Sequence, residues 1–456
     1  MKSVDIEELF SRGAASFIDP DNAFRKKVEA KIAGNYPGDI VIKIGMDPTR
    51  PDIHIGHAVI LRKLRSFQDI GCKIIFLIGD FTSLIGDPTG KSKTRPEISQ
   101  QEIENNMKTY LDQAGKILSL DPKVFSWIRN SDWFVSINDI LAPDNRKDLS
   151  FGDISVSVDK PLPGTHILNK ASYWVETRMQ KNAIHSFSFL NVLSVLRHVT
   201  HARLIERDMF QDRIEKGGEL YMHEMMYPVL QGIDSTVLAN IYGSCDLEIG
   251  GTDQTFNMLM GRDVMRMNKQ EEQSVLSMDI LEGLDGKEKM SKSLDNYIGI
   301  TDEPNNMYGK VLSIPDALIP RYFALATYTP LAETKEIEKT LASGNTNPRD
   351  LKMRLAREIV AIYHGESAAE GAEKNFVETF SQKKIPENVL EISGEFTSIV
   401  DAMMKAEVAE SKTDARRLIE AGAVTYLESD TKITDATTVP EKGTYRVGKI
   451  RFFRIG

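Results

Sequence analysis

Cysteine is scarce in this chain: only Cys72 and Cys245 occur, each at the start of an apolar, strand-like run. Two such residues make no disulfide framework, and reduced core thiols are the expectation. Long apolar runs are missing too, so no membrane span is expected. The first residues, MKSVDIEELFSRGAASFIDP, are acidic early and have no apolar core, so a secretory signal is not expected and a cytoplasmic location is. Positive charge is not in excess, with 57 Lys and Arg against 66 Asp and Glu and a net charge of −9. That balance excludes wholesale coating of nucleic acid but permits a local basic face. What remains is an ordinary globular composition, 41% hydrophobic and 27% charged over 456 residues, enough for two or three domains.

The order of elements points to a doubly wound α/β unit. Residues 1–35 have apolar positions at helical spacing. Asp39–Met46 (DIVIKIGM) reads as a strand, His57–Gly71 as a helix closed by a glycine, and Cys72–Gly79 as a strand buried on both faces. Ser99 and Glu102 form a capping box opening a helix to about Leu118, and Val124–Ile128 is a further strand. Alternation of this kind predicts a parallel sheet with ligands beyond the carboxyl ends of its strands. Residues 135–185, broken by Pro143, Pro161 and Pro163, read as an insertion in which Ser150–Val158 alternates like one half-buried strand. Phe187–Val199 and Ala202–Arg213 read as helices whose apolar surplus suits either the core or a subunit interface.

Three clusters carry chemistry. In the first, IKIGMDPTRPDIHIGH, a strand and a proline-punctuated turn lead to His54 and His57 at the mouth of a helix, with Gly56 between them. Histidines three apart share a helix face, and free N–H groups at a helix start suit an anion. Two polar residues opening a helix is the plainer alternative. The second cluster, MHEMMYPVLQGID, is helical up to Gly232 and brings Tyr227, Gln231 and Asp234 onto neighbouring turns, either a polar pocket or a solvated face. It is followed by the strand CDLEIGG and the helix opening at Asp253–Gln254. After a strand over Val275–Leu281, the third cluster is the loop Lys289-Met290-Ser291-Lys292-Ser293. Flexible ammonium groups on a mobile loop suit expulsion of pyrophosphate. The string GDPTGKS is not a phosphate loop, because only Asp87, Pro88 and Thr89 separate its glycines where four residues are needed.

The HIGH and KMSKS strings in this order resemble the class I aminoacyl-tRNA synthetases, and MDPTRPDIHIGH, LIGDPTGKSKTR, MMYPVLQGID and IGGTDQTFN resemble the bacterial tyrosyl branch over essentially the whole chain. The resemblance implies a Rossmann-like α/β domain over 1–300 with an insertion near 135–215, an α-helical anticodon-stem-binding domain over 301–385, and a small RNA-binding domain over 388–456. It implies that Asp47, Thr49, His54, Gly56 and His57 hold ATP and its transition state, with Gly251 and Asp253 near the ribose. Asp87, Tyr227 and Gln231 would hold the amino group of tyrosine, Gln254 would lie near its carboxylate, and Asp234 would accept from the phenol. Lys289 and Lys292, with Met290 and Ser291 beside them, would face the phosphates. ATP with Mg²⁺ would be a co-substrate rather than a resident cofactor, no protein metal site is expected, and the partners implied are tRNA-Tyr and a second copy of the chain.

Two positions depart from the family pattern: where many bacterial members carry a tyrosine on the first strand as a second phenol partner, this chain has Lys43, followed by Ile44, and a position that often carries a threonine is Ile60. Downstream of Thr301 the expected helices are Met307–Leu312, Leu318–Leu325, Glu333–Leu341 and Pro348–His364. Near the carboxyl end, Glu410–Val424 reads as a helix and Lys442–Gly456 as a basic strand surface, with Arg416, Arg417, Lys449, Arg451 and Arg454 as RNA candidates. A tryptophanyl enzyme and a non-catalytic RNA-binding protein that retains the fold are the alternatives.

Overall fold

The computed structural model describes residues 5–49, 52–88, 99–134, 149–151, 154–157, 172–177, 181–185, 189–381, 389–394, 396–409, 411–429, 431–448 and 451–456. The chain divides into two compact units, 1–363 and 364–456. In the first, the strands are β1 (Ala14–Ile18), β2 (Val41–Met46), β3 (Lys73–Ile78), β4 (Phe125–Arg129), β5 (Leu149–Phe151), β6 (Ile154–Ser157), β7 (Ser172–Thr177), β8 (Lys181–His185), β9 (Leu247–Gly251) and β10 (Ser274–Met278). The main sheet has the order β1-β10-β9-β2-β3-β4. All its neighbours run parallel except β1, which lies antiparallel on the edge. Every residue of β3 is buried, as its unbroken apolar run demands.

The chain order reverses between β2 and β9, and those strands pair only at Ile42↔Leu247 and Lys43↔Glu248. Beyond that point they part, and the gap at their carboxyl ends is the crevice where ligands bind in open α/β sheets. Helices Ile55–Asp69, Met222–Tyr242 and Thr255–Met267 cover the sheet, burying Leu61, Leu64, Ile233, Leu238 and Val264.

Several elements differ from expectation. The amino-terminal stretch holds two helices, Ile6–Ser11 and Ala23–Ile32, with β1 between them. AASFI lacks a period-2 pattern because an edge strand is shaped by its partner β10. Ser150–Val158 contains two strands paired with each other rather than one, and β5 to β8 form a separate antiparallel sheet. The expected second helix after residue 200 is split into His201–Ile205 and Asp208–Glu215. Helix Met222–Tyr242 does not stop at Gly232. That glycine is there for packing, since a Cβ on it would lie 2.8 Å from Val264 Cγ2 and 3.0 Å from the Met260 carbonyl. The helices expected after Thr301 are found at Pro304–Leu312, Ile319–Ala326, Leu331–Ala342 and Pro348–His364.

The second unit holds helix Glu366–Ser381 and a five-stranded sheet of β11 (Leu390–Ile392), β12 (Val424–Tyr426), β13 (Thr431–Ile433), β14 (Gly443–Val447) and β15 (Arg451–Ile455), ordered β11-β15-β14-β12-β13. Helices Ile399–Lys405 and Lys412–Glu420 bury Met403, Ala415 and Ile419 against Tyr445, Val447 and Phe453. The helix expected over 410–424 spans Lys412–Glu420, and Gly422 just past its end has a φ of +64°, the left-handed geometry of a C-terminal stop.

Candidate active site

At the carboxyl ends of β2, β3 and β9 a cleft of about 1480 Å³ is lined by every ATP-site and tyrosine-pocket candidate. One wall begins with His54 and His57. Their rings stack at 3.7 Å and 24°, and an added Cβ on Gly56 would stand 3.0 Å from His54 Nδ1 and 3.5 Å from Met290 Cβ. Glycine leaves the His54 ring in place, where an added Cβ would push it by a few tenths of an ångström. Burial, then Lys292 and Lys289, push the His57 pKa down to about 3, and burial with His57 and both lysines holds His54 well below the usual range. Both imidazoles are therefore neutral at pH 7 and act by hydrogen bonding rather than by charge. The His54 backbone N–H donates to His57 Nδ1 at 3.4 Å, which leaves the proton of neutral His57 on Nε2.

The KMSKS loop is tied to this wall by backbone. Ile55 N–H donates to the Ile298 carbonyl at 2.9 Å, Ile300 N–H to that of Ile53 at 3.1 Å, and Met290 N–H to that of Leu281 at 2.9 Å. Lys292 Nζ donates to the Asp52 carbonyl, while Lys289 Nζ pairs with Asp253 at 2.9 Å. Segments more than two hundred residues apart in sequence thus put two ammonium groups opposite two imidazoles.

The deep wall is polar, and its Tyr227, Asp234 and Asp87 are buried. Asp234, on the helix Met222–Tyr242, accepts from Trp133 Nε1 at 3.0 Å and Asn130 Nδ2 at 3.5 Å. Burial pushes its pKa up to about 7 against the pull of Lys43, Trp133 and Asn130, with Glu248 adding to the rise. Tyr227 donates to Asp47 Oδ2 at 2.8 Å, and Thr82 donates to Asp47 Oδ1 at 2.9 Å. Gly79 at the end of β3 makes this possible, since a Cβ there would sit 2.0 Å from Asp47 Oδ1. Asp87 accepts from Gln254 Nε2 at 2.6 Å and from buried Arg207 at 3.4 Å. Thr49 lines the mouth of the cleft, as do Gly251 and Ser291.

Five residues of this wall escape sequence reasoning: Asn130, Trp133, Arg207, Glu248 and Asn257. Asn257 stands in the IGGTDQTFN string and Trp133 follows a strand end, but no spacing rule marks either. Arg207 lies between two helices and meets Asp87 only in three dimensions. Of the RNA candidates, Arg416, Arg417, Arg451 and Arg454 are exposed on the second unit, and Lys449 lies outside the described residues. Arg417 pairs with Asp414 at 2.7 Å, and Arg454 donates to Thr444 at 3.2 Å. Residues 89–98 of the SLIGDPTGKSKTR string also lie outside the described residues.

Comparison with known proteins gives the family and the fold. The family model of tRNA synthetases class I (W and Y) matches residues 36–147 and 153–381. A tyrosine–tRNA ligase of Moorella thermoacetica is 39% identical over 452 residues, covering 98% of this chain and 94% of that protein. One of Thermotoga maritima is 39% identical over 423 residues, covering 92% and 90%. The fold matches a C-terminally truncated mitochondrial tyrosyl-tRNA synthetase of Aspergillus nidulans with a TM-score of 0.56 at 19% identity, covering 82% of this chain and 94% of that one. It also matches an Archaeoglobus fulgidus tyrosyl-tRNA synthetase complexed with L-tyrosine, with a TM-score of 0.53 at 19% identity over 81% of this chain and all of that one. On the extent of these matches and the pairing of its HIGH and KMSKS segments across one cleft, the chain belongs to the class I tRNA synthetases of the tryptophan and tyrosine group, in the tyrosine–tRNA ligase family.

Proposed function

We propose that this chain activates L-tyrosine with ATP to tyrosyl-adenylate and pyrophosphate, then transfers tyrosine to the terminal ribose of tRNA-Tyr. The observation that carries the reading is the union, in one cleft, of a cationic phosphate wall and a deep, buried carboxylate at Asp234. A tyrosine carboxylate is anionic at neutral pH, so it attacks the α-phosphorus without a general base. The new bond forms to phosphorus as the bond to the pyrophosphate oxygen breaks. Catalysis is then positioning and charge stabilisation.

Residue roles follow from place. Lys289 and Lys292 neutralise charge on the departing pyrophosphate, and neutral His54 and His57 donate hydrogen bonds to phosphoryl oxygens. Asp253 and Gly251 stand where the ribose would lie. Asp47 and Thr49 shape the nucleotide mouth. Asp87, Tyr227 and Gln231 hold the ammonium group, with Gln254 by the carboxylate, and Asp234 in its ionised form accepts from the phenol. Mg²⁺ enters with ATP as part of the substrate and takes few protein ligands. Arg416, Arg417, Arg451 and Arg454 supply a basic face for tRNA, with Lys449 on the same segment. A homodimer is the assembly proposed, which sedimentation velocity would measure. The cytoplasm is the compartment proposed. ATP–pyrophosphate exchange scanned over all amino acids tests the function: exchange should respond to tyrosine, and a response to tryptophan alone, or to none, overturns it.

A further inference from the structure

Under the deep wall lies a buried ion pair that the motifs do not account for. Lys43 on β2 and Glu248 on β9 are register neighbours at the last rung before the two strands part. They are 0% and 1% exposed and 2.9 Å apart. The ammonium of Lys43 also donates to the Gln231 carbonyl and to Ser235 Oγ, each at 3.0 Å, so its three donors are all engaged and none is left for substrate. Burial opposes its charge, but Glu248 and then Asp234 outweigh that and hold its pKa above the usual lysine range.

Glu248 sets the sense of a chain of amides. It accepts Gln231 Nε2 at 2.9 Å, which turns Gln231 Oε1 towards Asn257 Nδ2 at 3.1 Å. Asn257 Nδ2 also donates to Gln254 Oε1 at 3.0 Å, which turns Gln254 Nε2 to Asp87 at 2.6 Å. A carboxylate can only accept, so one anion at the base fixes which end of each amide faces which neighbour. The same pair faces Asp234, on which Lys43, Glu248, Trp133 and Asn130 all act.

We propose that Lys43 and Glu248 are positioning residues of the amino-acid pocket: without touching substrate, they lock the amides of Gln231, Asn257 and Gln254 in one donor–acceptor sense and balance the charge beside Asp234. The proposal rests on the tyrosine reading above. Lys43 thereby takes no part as a second phenol partner. It secures the turn of helix that carries both Gln231 and Asp234.

Pyrophosphate exchange by the full-length chain, measured against tyrosine and ATP from pH 6 to 9, tests this. Wild-type exchange with tyrosine comes first, since its failure would remove the functional reading itself and leave the pair unaddressed. Given that exchange, Lys43→Met should raise the KM for tyrosine by about tenfold or more with the KM for ATP little changed, because the locked donors and acceptors serve only the amino acid. The two charge-removing variants should also move the pH at which tyrosine KM rises in opposite directions. Lys43→Met removes the cation facing Asp234 and shifts the break upward; Glu248→Gln removes a like charge and shifts it downward. Should either single variant fail to fold, Lys43→Met/Glu248→Gln leaves no charge unpaired and carries the test through its tyrosine KM against its ATP KM. Breaks moving together, or the two KM values rising in parallel, would mean the pair is only structural and would overturn the proposal.

Discussion

Gly56→Ala separates the catalytic geometry of this fold from its stability. The residue is the second of helix Ile55–Asp69, where alanine is the better helix former by up to about 1 kcal/mol. Its backbone lies outside the positive-φ region, so no strain opposes the change. The obstacle is the stacked His54. A Cβ would stand 3.0 Å from its Nδ1 and 3.1 Å from its Cε1, against ordinary contact near 3.5 Å, so the ring must yield by a few tenths of an ångström. His54 rests on His57 at 3.7 Å, and the displacement passes to both imidazoles. A misplacement of 1 Å can cost about a hundredfold in rate, so a smaller one should lower exchange by about tenfold, with tyrosine KM unchanged. Scanning fluorimetry beside exchange kinetics reads both quantities. Unchanged exchange, or a loss of activity that tracks a lower melting temperature, would refute the reasoning.

Three further outcomes follow from the same geometry. Lys292→Ala should lower the exchange rate constant by about a hundredfold or more, the cost of removing one preorganised charge-stabilising donor, while tyrosine binding by calorimetry changes little; equal losses would make the loop structural. Gly232→Ala places a Cβ 2.8 Å from Val264 Cγ2 and 3.0 Å from backbone, so it should destabilise by about 1–3 kcal/mol, read as a lower melting temperature. Arg416→Glu/Arg417→Glu, on an exposed helix face, should spare pyrophosphate exchange and weaken charging of tRNA, with the deficit relative to wild type shrinking at higher salt; charging equal to wild type would place the RNA surface elsewhere.

Much of this protein is legible in its sequence because the signals are local. Strand β3 announces itself through an unbroken apolar run, helix Gln100–Ala114 through the Ser99–Glu102 box, and helix Pro348–His364 through its period. HIGH and KMSKS are local as well, since each is one contiguous string of residues. Signals that depend on a partner do not survive in one dimension. The edge strand β1 exists because β10 lies beside it, and Gly232 resembles a helix stop until Val264 is placed against it.

The deep pocket makes the same division. Tyr227, Gln231 and Asp234 can be paired from helical spacing alone. Their acceptors and donors (Asp47, Glu248, Asn257, Trp133) come from four other segments, and only folding brings them within 3.1 Å. Lys43 shows why. In sequence it is a charged residue in an apolar strand, at odds with its surroundings. In the sheet it is the register partner of Glu248, and the cost of burying one charge is offset by the other. Residue types and local periods determined the chemistry available to this chain; the pairing of strands and helices, through desolvation and hydrogen-bond partners, decided the charge and orientation in which each group is held.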